Sequence, residues 1–101
     1  MPKVYEYFGV AINFFSREHV PIHVHGRYQD CEMKAEIFID QGEIVKILIK
    51  SIPKKKPLPE PQLSDFKKVV NKHAQDIVRK WADYFLFGKK IECTQIKRRI
   101  K

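Results

Sequence analysis

Along the first fifty residues apolar and polar positions alternate in steps of two, and after a proline-rich break the spacing changes to three and four. The run YFGVAINFF, Tyr7 to Phe15, is rich in β-branched and aromatic residues, and Phe8, Val10, Ile12 and Phe14 share one face of a strand. Gly9 falls inside that strand, which predicts a bulge or a close backbone approach. Ser16, Arg17 and Glu18 form a polar connection. After Pro21, IHVHGRY predicts a second strand with Ile22 and Val24 facing in and His23, His25 and Arg27 facing out. A third, EMKAEIFI, puts Met33, Ala35, Ile37 and Ile39 on one face, and Asp40, Gln41 and Gly42 make a tight turn. A fourth, IVKILIK, groups Val45, Ile47 and Ile49, so the strands read as an antiparallel meander.

Residues 53–61, PKKKPLPEP, hold four prolines in nine positions. Neither a helix nor a central strand tolerates that density, so the segment is an extended connector. Beyond it Leu63, Phe66, Val70, His73, Ile77, Trp81 and Tyr84 form an apolar stripe on one long helix, residues 62–86, that would cover one face of the sheet. Lys67, Lys68, Lys72, Gln75, Arg79, Lys80 and Asp83 are expected mostly to face solvent, and Gly88 is a stop signal. Residues 90–97 are a candidate last strand and residues 97–101, KRRIK, a basic tail. The whole predicts one α+β domain over residues 1–101. It has an antiparallel sheet of four to five strands and one helix packed on one face, in the order β-β-β-β-α-β.

Composition narrows the class. The chain has 44% hydrophobic residues, enough for a core, and no apolar run near the roughly 20 residues that span a bilayer. The N-terminal stretch lacks the features of a secretory signal. Cys31 and Cys93 are isolated thiols, expected to be reduced, so a cytoplasmic protein is expected. The net charge of +8 is divided unevenly: residues 1–45 carry −3 and residues 46–101 carry +11. That asymmetry favours a polyanionic or acidic partner for the second half, the alternative being a solvated lysine-rich surface. Lys54, Lys55, Lys56, Lys72, Arg98 and Arg99 are the candidate nucleic-acid or anion contacts.

The chemistry-bearing feature is His19, His23 and His25, three of the four histidines within seven residues. On a strand His23 and His25 point the same way with Cα atoms about 6.5–7 Å apart, close enough for two imidazoles to converge on one ion or group. Three imidazoles suit zinc or a similar divalent transition metal, and the same residues suit acid–base chemistry near neutral pH. His19, His23 and His25 are thus candidate metal ligands, and His23, His25 and His73 candidate catalytic groups. Glu18, Asp30, Glu32 or Glu36 can orient an imidazole or add a ligand, and the sequence does not choose among them. His73, on the helix stripe, is either a core histidine bonded to a carbonyl or a fourth member reaching toward the strand cluster.

These residues resemble a prokaryotic family, the domain of unknown function 4160. The resemblance lies in MPKVYEYFGVAINFF, EHVPIHVHGRY, AEIFIDQGEIV and Ile52-Pro53-Lys54, and in the eight-residue spacing of His73 and Trp81, over residues 1–85. Ile22 stands where the family often has a second proline, the connector is longer than usual, and the C-terminal strand and tail look like an extension. The resemblance implies a bacterial, cytoplasmic, stand-alone domain of a kind suspected in toxin–antitoxin-like gene pairs, and implies no activity. Three functions stay open: a nucleic-acid-associated protein, a histidine-cluster metal-binding domain, and an interaction module for a small co-transcribed protein. Whether the chain is an enzyme stays open, as does its oligomeric state.

Overall fold

The computed structural model of the protein describes residues 2–15 and 21–100. The alternation becomes six strands: β1 (Lys3–Tyr7), β2 (Val10–Phe14), β3 (Ile22–Tyr28), β4 (Cys31–Asp40), β5 (Glu43–Ser51) and, after the helix α1 (Glu60–Trp81), β6 (Thr94–Ile96). The sheet order is β5-β4-β3-β2-β1-β6, antiparallel except where β6 pairs parallel with β1. The architecture is α+β as expected, with a strand more than the count of four to five.

The extra strand comes from the run at Tyr7–Phe15. Phe8 and Gly9 both have positive φ, 46° and 86°, and turn the chain between β1 and β2 instead of lying within one strand. Two consecutive positive φ values match the twist of a tight antiparallel hairpin. Phe8 is therefore 42% exposed at the turn, while Val10, Ile12 and Phe14 are buried. A second departure lies at the β4–β5 hairpin, turned at Gln41 and Gly42. A register shift between Phe38 and Ile39 pairs Ile39 with Ile44, leaving Ile39 and Val45 exposed, while Ile44, Ile47 and Ile49 pack against the core. An irregular pairing of this kind switches the side-chain phase that strict alternation assumes.

The core lies between one face of the sheet and α1. Tyr5, Tyr7, Ile12, Phe14, Val24, Ala35 and Ile37 from the strands meet Phe66, Val69, Val70 and Ile77 from the helix. Each fully buried aliphatic or aromatic side chain contributes about 1.5–3 kcal/mol relative to exposure. Gly26 is where the helix comes closest: a Cβ there would stand 2.6 Å from the Phe66 ring. The connector follows β4 back, with the Glu32 N–H donating to the Lys56 carbonyl, and sets Leu58 into the core before Pro59 opens α1. At its far end α1 runs into one π-helical turn, Ala82–Leu86. Among the described residues no helix is long and apolar enough to cross a membrane.

Candidate functional site

Strand β3 distributes its side chains as the alternation requires. Val24 and Gly26 face α1, so His23, His25 and Arg27 lie on the opposite face of the sheet. His23 nonetheless is buried, at 8% exposure. Its Nδ1–H donates to the Pro21 carbonyl at 3.2 Å, which leaves Nε2 as the acceptor of the neutral ring. Burial above all, with His25 and Lys34 adding to it, holds the His23 imidazole below its usual value, against the Pro21 bond and Glu36.

His25 carries the best-defined polar contact of this face: its Nδ1 is 2.6 Å from Oε2 of Glu32. Both side chains are mostly buried, at 12% and 13% exposure, where such a pair is only weakly screened. The ring of Phe15 stacks on His25 at 4.6 Å with an interplanar angle of 12°, and the His23 ring lies 5.8 Å away. Of the carboxylates the sequence offered, the structure thus gives Glu32 to His25. Glu36 instead pairs with Lys50 at 2.8 Å and Lys34 at 3.6 Å, which hold its carboxyl below the usual range, while Asp30 pairs with Lys56 at 2.9 Å. Glu18 and His19 lie outside the described residues. Among the described residues no three His, Cys, Asp or Glu side chains are placed to hold a metal ion.

Beside His25 a cavity of about 440 Å³ opens, lined by Asn13, Phe15, Arg27, Glu32 and Lys55 among others. Asn13, opposite His25 in the β2–β3 register, has its Oδ1 buried with no hydrogen-bond partner among the described residues. A buried acceptor left in that state costs about 1–3 kcal/mol. Sequence reasoning missed Asn13 and Phe15. The available signal was a lone polar residue inside AINFF, on the same strand face as an aromatic that the core does not take up.

His73 does not join the strand histidines, because the sheet stands between them. It sits on α1 with non-helical angles (φ −108°, ψ 18°), kinking the helix, and its ring lies 4.8 Å from that of Tyr5. Burial first, then Lys72, lowers its imidazole. Next to it the Tyr5 hydroxyl donates to Asp76, and the Lys80 ammonium lies 4.6 Å over the Tyr5 ring, so Lys80 is half-buried where solvent exposure was expected.

His73 also lines a second and larger cavity, about 930 Å³, between α1 and the C-terminal segment. Lys67, Lys68, Asn71 and Lys72 recur at helical spacing along one wall, and Arg98 and Arg99 form the other. Arg99 is bonded to Asp65 at 2.9 Å and lies 3.9 Å over the Phe8 ring, while the Ile100 N–H donates to the Tyr7 hydroxyl. The segment expected as a basic tail is thus docked at residues 99 and 100. Lys67, Lys68, Lys72 and Arg98 have no carboxylate partner among the described residues. The structure therefore divides the six cations singled out in the sequence. Lys72, Arg98 and Arg99 share this groove, whereas Lys54, Lys55 and Lys56 lie on the connector, Lys55 near Glu32 at 3.8 Å and Lys56 on Asp30. Both cysteines are free thiols.

The fold is a small α+β domain built on one mixed sheet, with a histidine–carboxylate pair on the open face of that sheet and a cationic groove along its helix. The model of the domain of unknown function DUF4160 matches residues 9–82, about three quarters of the chain, and the chain belongs to that family. Strands β2 to β5, the connector and α1 lie within the matched span, whereas β1, β6 and Arg98 to Ile100 lie beyond it. Comparison with curated proteins and with solved structures finds no match.

Proposed function

We propose that this protein binds nucleic acid through the groove between α1 and the C-terminal segment. One observation carries the reading: Lys67, Lys68, Lys72 and Arg98 line a single groove with no carboxylate neutralising them among the described residues. Cations left uncompensated side by side repel one another, and a run of phosphates relieves that repulsion while releasing condensed counterions. Asn71 and Ser64 in the same groove add neutral donors of the kind that position a sugar–phosphate backbone. The metal-centre and protein-module readings gain no comparable observation from the described residues.

Filter binding of single-stranded RNA and DNA over a salt series tests the proposal. Three to four phosphate contacts predict a fall of log K with log salt of slope about −2 to −3. Charge reversal at Lys67, Lys72 and Arg98 together should remove most of that slope. Absence of binding at low salt, or binding indifferent to salt, would overturn it.

A further inference from the structure

The pocket on the open face of the sheet has a different chemistry from the groove. It combines one flat aromatic, one asparagine and two cations around a fixed imidazole. Phe15 stacks on His25 with one face, and yet 56% of the residue is exposed, so its other face is open. The Glu32 carboxylate holds His25 by Nδ1, and the stacked pair is thereby a rigid platform rather than a freely rotating ring. Arg27, exposed at the rim, has no carboxylate partner among the described residues, although Glu32 stands directly opposite it across the β3–β4 pair. Glu32 is drawn to His25 at 2.6 Å and lies 3.8 Å from Lys55, which leaves the Arg27 guanidinium for a ligand. Asn13 lines the same cavity, with its Oδ1 buried and without a partner among the described residues.

We propose that this pocket takes a single nucleotide unit, its base stacked on the open face of Phe15 and its phosphate held by Arg27 and Lys55. The choice of a nucleotide over other anions rests on the polyanion reading of the groove. The pocket adds what a phosphate groove lacks, a contact with the base itself. Aromatic platforms on an open sheet face bind unstacked bases because every base has a π-face. A volume of about 440 Å³ is within the range of small-ligand sites.

The test uses the full chain, isotopically labelled, titrated with the four ribonucleoside 5′-monophosphates and separately with inorganic phosphate, with amide NMR shifts as readout. Saturable shifts are expected at Asn13, Phe15, His25, Arg27 and Glu32, with at least one mononucleotide binding more tightly than phosphate. Phe15→Ala should weaken binding about five- to a hundredfold, the range of losing one stacked base, and Phe15→Trp should keep it. Arg27→Ala should also weaken it, with melting curves confirming that both variants fold. The charge-reversed groove variant should bind mononucleotides as the parent does. Phosphate binding as tightly as every mononucleotide, shifts gathered around Lys67, Lys72 and Arg98, or indifference to Phe15→Ala would each overturn the proposal. A chain that binds RNA but no mononucleotide at about 10 mM loses the pocket and keeps the groove, and the converse result loses the groove and keeps the pocket.

Discussion

Gly26 shows how one residue can decide a helix–sheet distance. The Phe66 ring occupies the space a Cβ would need, with Cδ1, Cε1 and Cγ all within 2.8 Å of it. Gly26→Ala must push α1 away or force Phe66 off its rotamer, and should cost about 1–3 kcal/mol in a denaturant titration. A variant as stable as the parent would show that the helix yields freely. His23 and His73 make a prediction of another kind. Both imidazoles are held below the usual 6.5, burial being the first cause in each. The unfolded chain then takes up these protons before the folded chain does. Stability is therefore full above about pH 6.5 and falls as pH drops through the window below it. The unfolding midpoint should decline between about pH 7 and pH 5, and His23→Gln should flatten part of that decline. An equal decline in the variant would assign the effect elsewhere. At this scale the sequence was informative about which way His23 and His25 point, because period-two alternation fixes it. It offered Glu32 as one of four carboxylates without choosing it, since the diagonal reach of a carboxylate across β3 and β4 depends on a pairing register that no local pattern encodes.

At the scale of elements, the helix stripe was legible because three- and four-residue spacing survives translation into packing. Phe66, Val70 and Ile77 are buried as the stripe requires. What the stripe did not reveal is that α1 is kinked at His73, where the ring meets Tyr5 of β1. Tyr5, Asp76, Lys80 and His73 form one polar cluster at that kink, and burial together with the Asp76 carboxylate raises the Tyr5 phenol well above its usual value. Tyr5→Phe should cost about 1–2 kcal/mol, reduced from the full value of a charged hydrogen bond because Arg79 and Lys80 still attend Asp76. Thermal melts of the two proteins decide this, and unchanged stability would mean that the bond contributes nothing net. The hairpin at Phe8–Gly9 escaped for a related reason: a phenylalanine at φ 46° inside an apolar run gives no turn signal. Only the glycine beside it hinted that the strand was broken.

For the whole molecule, the two candidate surfaces lie on opposite sides, one along the helix and one on the open face of the sheet. Their contributions to RNA affinity should add. The charge-reversed groove with Phe15→Ala should lose the product of the two single effects, since sites without shared partners are independent. A marked departure from that product in filter binding would mean the two surfaces communicate. The +11 of the second half of the sequence foretold a basic surface. It did not foretell where that surface is, because the connector lysines answer to Asp30 and Glu32 while the helix lysines meet Arg98 only after the chain has folded back.

That return has a consequence for behaviour in concentrated solution. Strand β6 is only three residues long, and together with the Arg99 clasp it lies along the outer margin of β1, whose sequence continues from KVYEY into FGV. A bare margin of that composition invites pairing with other molecules, whereas the opposite margin, β5, displays Lys46 and Lys50. The short strand thus covers that margin. Removing residues 92–101 should yield a chain that aggregates in proportion to its concentration, visible as growing scatter in light-scattering measurements, while the full chain stays dispersed under the same conditions.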